Sequence, residues 1–168
     1  VGHAFRMSVI AWSQNMTTAL AADSGAILVT KDELFAKSDV VTIQVRLTDR
    51  TRGLITGRDL GLMKPTAYLI NTSRGPIVEE GALLDVLHRK SIAGAGLDVF
   101  NTEPLPPGHP FLNMDNVVLT PHIGYVVLEI YQRWYRQALE NIVAFLSGKP
   151  IRVLNPDVLE SVNLRSLV

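Results

Sequence analysis

The sequence predicts an α/β fold, a parallel sheet with helices on both faces. Two observations carry this. Short apolar runs recur at residues 7–12, 26–29, 40–45, 67–71, 94–98 and 117–119, and they are nearly continuous in apolar character, as in strands buried on both faces. Helical patterns lie between them, and that alternation is the signature of strands joined by helical crossovers.

The elements follow in order. The runs 7–12 and 26–29 are the first two strands. Thr30 is a good N-cap and opens a helix over 31–36. The strand 40–45 follows, then a short helix over 56–63 that stops ahead of Pro65. After the strand 67–71, residues 79–90 carry Leu83, Leu84 and Leu87 on one face of a 3.6-residue period. The strand 94–98 is built of glycine, alanine and leucine, which lets a ligand or a neighbouring backbone come close. The strand 117–119 precedes the longest helix, 128–146, which Ser147-Gly148-Lys149-Pro150 terminates. Residues 151–168 show no clear period and are expected to form a tail or a strap to another domain.

Bulk composition narrows the function. At 168 residues and 47% hydrophobic, the chain can enclose a core of its own. Sixteen basic residues balance sixteen acidic ones, with no basic stripe to suit nucleic acid. There is no cysteine, hence no disulfide framework, thiol nucleophile or cysteine zinc site. His3, His88 and His109 lack metal-ligand spacing. No apolar run reaches membrane-spanning length. A cytoplasmic protein without nucleic-acid or membrane partners is expected.

Three motifs follow strands: Asn71-Thr72-Ser73-Arg74-Gly75, Asp98-Val99-Phe100-Asn101-Thr102-Glu103-Pro104 and Thr120-Pro121-His122-Ile123-Gly124. An open α/β sheet places its ligand at the carboxyl ends of its strands. An arginine there can clamp a carboxylate with two parallel hydrogen bonds. A histidine backed by a carboxylate can pass a proton to a carbonyl oxygen near neutral pH. The set points to chemistry on a small 2-oxo or 2-hydroxy acid.

In these motifs, collinear over residues 1–150, the chain resembles the D-isomer-specific 2-hydroxyacid dehydrogenases. The resemblance implies a Rossmann-type domain lacking its first strand and glycine loop, both expected before Val1 along with a substrate domain. Residues 1–150 are then a partial NAD(P)-binding domain, the chain is expected to be a fragment, and 1–168 alone is expected to be unstable or domain-swapped and inactive. In the usual 3-2-1-4-5-6 order the missing strand is central, so the strands beside it would carry bare backbone groups.

The resemblance also implies roles. Arg74 would bind the substrate carboxylate and polarise the carbonyl. His122 would be the acid in reduction and the base in oxidation, with Glu103 orienting its ring. Asp98 would meet the nicotinamide carboxamide, Thr72 the nicotinamide ribose, and Val45 and Gly124 would complete the cofactor set. Ser13 stands where NAD-dependent members usually carry an aspartate, so NAD or NADP is left open. Arg46 replaces a usual proline and faces phosphate or solvent, and Gln44 replaces a frequent histidine. Tyr131, Trp134 and Tyr135 share a helix face that packs on a further domain or walls a substrate pocket. The implied function is hydride transfer between NAD(P)H and a D-2-hydroxy/2-oxo acid pair, in a homodimer. The alternative is an NAD-sensing interaction protein like the C-terminal-binding-protein corepressors.

Overall fold

The computed structural model describes residues 1–161. All six expected strands form: β1 (Ile10–Ala11), β2 (Ile27–Leu28), β3 (Val40–Ile43), β4 (Tyr68–Asn71), β5 (Gly94–Leu97) and β6 (Val117–Leu119). Every strand pairing is parallel. Hydrogen bonding divides the strands into a pair, β1-β2, and a sheet in the order β3-β4-β5-β6. Among the described residues no strand pairing joins the two.

The helices are α1 (Thr18–Asp23), α2 (Lys31–Lys37), α3 (Gly57–Gly61), α4 (Glu80–His88), α5 (Leu128–Leu146) and α6 (Val158–Ser161). Capping residues set the starts of α1, α2 and α3. Thr30 and Glu33 form a reciprocal capping box at α2. At α3 the Thr56 N–H and hydroxyl both donate to the buried Asp59 carboxylate, at 2.8 and 2.9 Å. That carboxylate also holds Lys31 Nζ at 2.6 Å. Helix α1 was not expected, because its Ala-rich sequence has no apolar period; Thr17 starts it by accepting from the Leu20 N–H at 3.3 Å.

The core lies around the four-stranded sheet. Val41, Ile43, Leu69, Ala95 and Leu97 from the strands pack with Phe35, Leu60, Leu83 and Leu87 from the helices. β5 must be built of small residues: a Cβ on Gly94 would lie 2.4 Å from the Asn116 carbonyl oxygen. Before Phe35, only Ala21 is a fully buried apolar residue.

The chain forms two compact units, Val1–Gly124 and the part from Tyr125 onward. In the second, Tyr131, Trp134 and Tyr135 sit together on α5, with ring centroids 5.9 and 6.3 Å apart for the neighbouring pairs. Arg152 bonds Glu140 at 2.5 Å and Asn141 at 3.0 Å. Of the expected tail 151–168, residues 162–168 lie outside the described residues. No described helix is long and apolar enough to cross a membrane.

Candidate active site

Asp98 organises the loop that carries His122. It directly follows β5 and is 4% exposed. One carboxylate oxygen accepts from the Thr120 hydroxyl at 2.5 Å and the Ile123 N–H at 2.9 Å. The other accepts from the Gly124 N–H at 2.9 Å. Burial pushes the Asp98 carboxyl up, but these hydrogen bonds and the nearby His122 outweigh it and hold the group below its usual value. Gly124 permits the fit, since a Cβ there would lie 3.1 Å from Asp98 Oδ2.

This bracing supports an unusual backbone. His122 has φ 58°, in the left-handed region that non-glycine residues seldom enter. The turn aims its ring at Glu103: His122 Nδ1 lies 2.7 Å from Glu103 Oε2. The other Glu103 oxygen accepts from the Phe100 N–H at 2.9 Å, so the carboxylate is fixed at both ends. Burial pushes the Glu103 carboxyl up. The hydrogen bonds from His122 and Phe100, with the charges of His122 and Arg74, win and lower it.

Arg74 follows β4 in a segment that bonds to itself and to β3. Asn71 donates from Nδ2 to the Arg74 carbonyl at 3.0 Å and accepts from the Ser73 N–H at 3.0 Å. The Ser73 hydroxyl donates to the Val45 carbonyl, tying the segment to the end of β3. Gly75 lets the Arg74 segment lie on the irregular segment leading to Glu103, since a Cβ there would be 2.1 Å from the Phe100 carbonyl carbon. Arg74 is exposed, and its Nη1 donates to the Ser73 carbonyl at 2.6 Å.

Two grooves flank these residues. An apolar one of about 490 Å³ lies beside Glu103 and His122, walled by Phe100, Leu105, Leu112 and Leu119. A polar one of about 440 Å³ runs over the ends of β3 and β4, between Gln44–Leu47 and Thr72–Arg74. Thr72 and Val45 line this second groove. Ser13 follows β1 in the other sheet, where its carbonyl accepts from the Met16 N–H at 3.1 Å. Lys31 links the two regions: its Nζ lies 5.7 Å from the Trp12 ring centroid and donates to the Leu54 carbonyl at 2.6 Å.

The structure thus gathers Arg74, Glu103, His122, Asp98 and Gly124 at the carboxyl ends of β4, β5 and β6, with Thr72 and Val45 alongside. Sequence reasoning did not single out the bracing by Asn71, Ser73 and Thr120. Their signal is chemical: short polar side chains directly after apolar strands, able to bond local backbone.

Comparison with known proteins fits this arrangement. Residues 1–124 match the family model for the NAD binding domain of D-isomer specific 2-hydroxyacid dehydrogenases. The chain belongs to that family. The glyoxylate reductase of Thermofilum pendens is 50% identical over 130 residues, covering 77% of this chain and 38% of the relative. That of Aeropyrum pernix is 42% identical over 161 residues, covering 95% and 48%. The crystal structure of a phosphoglycerate oxidoreductase from Vibrio cholerae superposes with a TM-score of 0.80 at 39% identity, over 88% of this chain and 47% of that one. The chain therefore spans less than half the length of these dehydrogenase relatives.

Proposed function

We propose that the protein reduces small 2-oxo acids to D-2-hydroxy acids with NADH or NADPH, and catalyses the reverse oxidation. The observation that carries this is the His122–Glu103 pair at 2.7 Å, electrostatically coupled to Arg74. Proton exchange and carboxylate capture are thereby offered from adjoining strand ends.

The chain's residues fit the cofactor. A carboxylate has about four acceptor positions, and three at Asp98 are filled from within the loop. One remains for the carboxamide N–H of a nicotinamide. Thr72 presents an exposed hydroxyl where the adjoining ribose would lie. Val45 and Gly124 contribute backbone and an absence of bulk. Ser13 brings no charge against either ribose or 2′-phosphate, so both cofactors are admitted. A bound reduced nicotinamide supplies the hydride for the carbonyl carbon.

The rest is the work of the side chains. Arg74 holds the substrate carboxylate through its planar fork and withdraws charge toward the reacting carbonyl. With Nδ1 bonded to Glu103, the His122 ring is oriented to deliver a proton from Nε2 to the carbonyl oxygen as it becomes a hydroxyl. Glu103 stabilises the imidazolium before transfer. In oxidation the same nitrogen removes the hydroxyl proton.

Within this reading, residues 1–150 form part of the dinucleotide-binding domain and 151–168 a strap toward a substrate domain. The protein acts as a cytoplasmic homodimer. The test is a panel of glyoxylate, hydroxypyruvate and pyruvate with NADH and NADPH on the full-length protein, with chiral analysis of products. Turnover to D-products where the product is chiral is expected. Tight dinucleotide binding without turnover of any 2-oxo acid would overturn the reading and favour an NAD-sensing interaction protein.

A further inference from the structure

We propose that Arg46 binds a phosphate of the nicotinamide dinucleotide, as the second cationic contact of the groove over β3 and β4. This rests on the cofactor reading above and adds a residue to it. Three observations lead there. Arg46 and Arg74 line one groove of about 440 Å³, and no carboxylate lines it with them. Among the described residues no carboxylate is paired with the Arg46 side chain. Its backbone is anchored independently of that side chain, because the Thr51 hydroxyl donates to the Arg46 carbonyl at 2.6 Å. An exposed guanidinium without an internal partner, in a groove lined otherwise by neutral groups and a second arginine, suits an anion from outside.

Strand order selects which anion. Asp98 and His122 follow β5 and β6, Arg74 follows β4 and Arg46 follows β3, at the edge of the four-stranded sheet. Ser13 follows β1, whose carboxyl end is tied to the segment after β3 by Lys31, which contacts Trp12 and the Leu54 carbonyl. A dinucleotide with its nicotinamide near Asp98 and its other ribose near Ser13 crosses the end of β3 with its phosphate-bearing middle. The monocarboxylate substrate needs only Arg74.

The experiment compares wild-type full-length protein with Arg46→Ala and Arg46→Lys, reading Kd for NADH and NADPH by nicotinamide fluorescence at low and high salt. Arg46→Ala is expected to weaken binding about tenfold, the scale of one charge-assisted hydrogen bond. Its salt dependence should fall, and Arg46→Lys should recover part of the loss. Equal weakening of both cofactors assigns the contact to the pyrophosphate, and weakening of NADPH alone assigns it to the 2′-phosphate. Unchanged Kd for both in folded Arg46→Ala overturns the proposal, as does a rise confined to the KM of a 2-oxo diacid. Because binding is read without turnover, failure of the reductase reading on the 2-oxo acid panel would remain distinguishable.

Discussion

The four-stranded sheet and the β1-β2 pair are built from similar apolar sequence, yet they are held very differently. In the larger sheet Leu69 is 0% exposed and its neighbours on β3 and β5 are buried with it. In the pair, Ile27 is 65% exposed, and only two residue pairs set the register, Ile10 with Ile27 and Ala11 with Leu28. Arg74, proposed above to bind the substrate carboxylate, follows β4 of the well-packed sheet. Ser13, proposed to bear on cofactor choice, follows β1 of the pair. The difference teaches that similar apolar runs are buried only where strands are flanked on both sides, as β4 is between β3 and β5.

The largest expected effect lies in the packed half. His122→Ala should lower turnover about 10²- to 10⁴-fold, the usual worth of general acid–base catalysis, with dinucleotide Kd nearly unchanged. A turnover near wild type would remove His122 from the mechanism. Next, Leu69→Ala should cost about 2–5 kcal/mol in chemical denaturation, whereas Ile27→Ala should stay within about 0.5 kcal/mol. Equal costs would erase the contrast between the two regions.

The third prediction concerns acid. The folded state holds the Asp98 and Glu103 carboxyls below their usual values, because hydrogen bonds outweigh burial. Their ionised forms therefore favour folding. That contribution is complete above the ordinary carboxylate range, about pH 4, and is lost as pH falls through the lower folded values. Melting temperature should be flat from neutrality down to about pH 5 and then drop. Asp98→Asn should flatten the acid limb and cost about 1–3 kcal/mol at neutral pH through its mismatched loop bonds. An unaltered acid limb would show that Asp98 does not report on the fold.

The smallest effect tests the weaker region. Ser13→Asp should worsen NADPH binding about tenfold relative to NADH, through repulsion of a 2′-phosphate. An unchanged ratio would place Ser13 away from the ribose.

The fold was largely legible because continuous apolar runs mark buried parallel strands without needing their partners. What could not be read is how far each run would pair. Residues 7–12 give a ladder of only two pairs, Ile10 with Ile27 and Ala11 with Leu28. Helix α1 escaped because alanines carry no period. In the site, the motifs displayed Arg74, Glu103 and His122. Nothing local joins Glu103 to His122, nineteen positions apart, and that pairing was implied by family resemblance alone before the geometry showed it. The left-handed turn at His122 was illegible for a related reason: besides the local bond from the His122 N–H to the Thr120 carbonyl, its loop is held by Asp98, 22 to 26 residues away.

Asp98 also constrains how this site can evolve. One carboxylate satisfies three donors on a single loop, so a change at Asp98 alters the selective value of Thr120 and of the bare position at Gly124 together. Replacements there should be strongly epistatic, tolerated in some orders and lethal to the loop in others. Arg74 lies on a separate segment and takes no part in those three bonds, so a change there leaves the His122 loop its bracing.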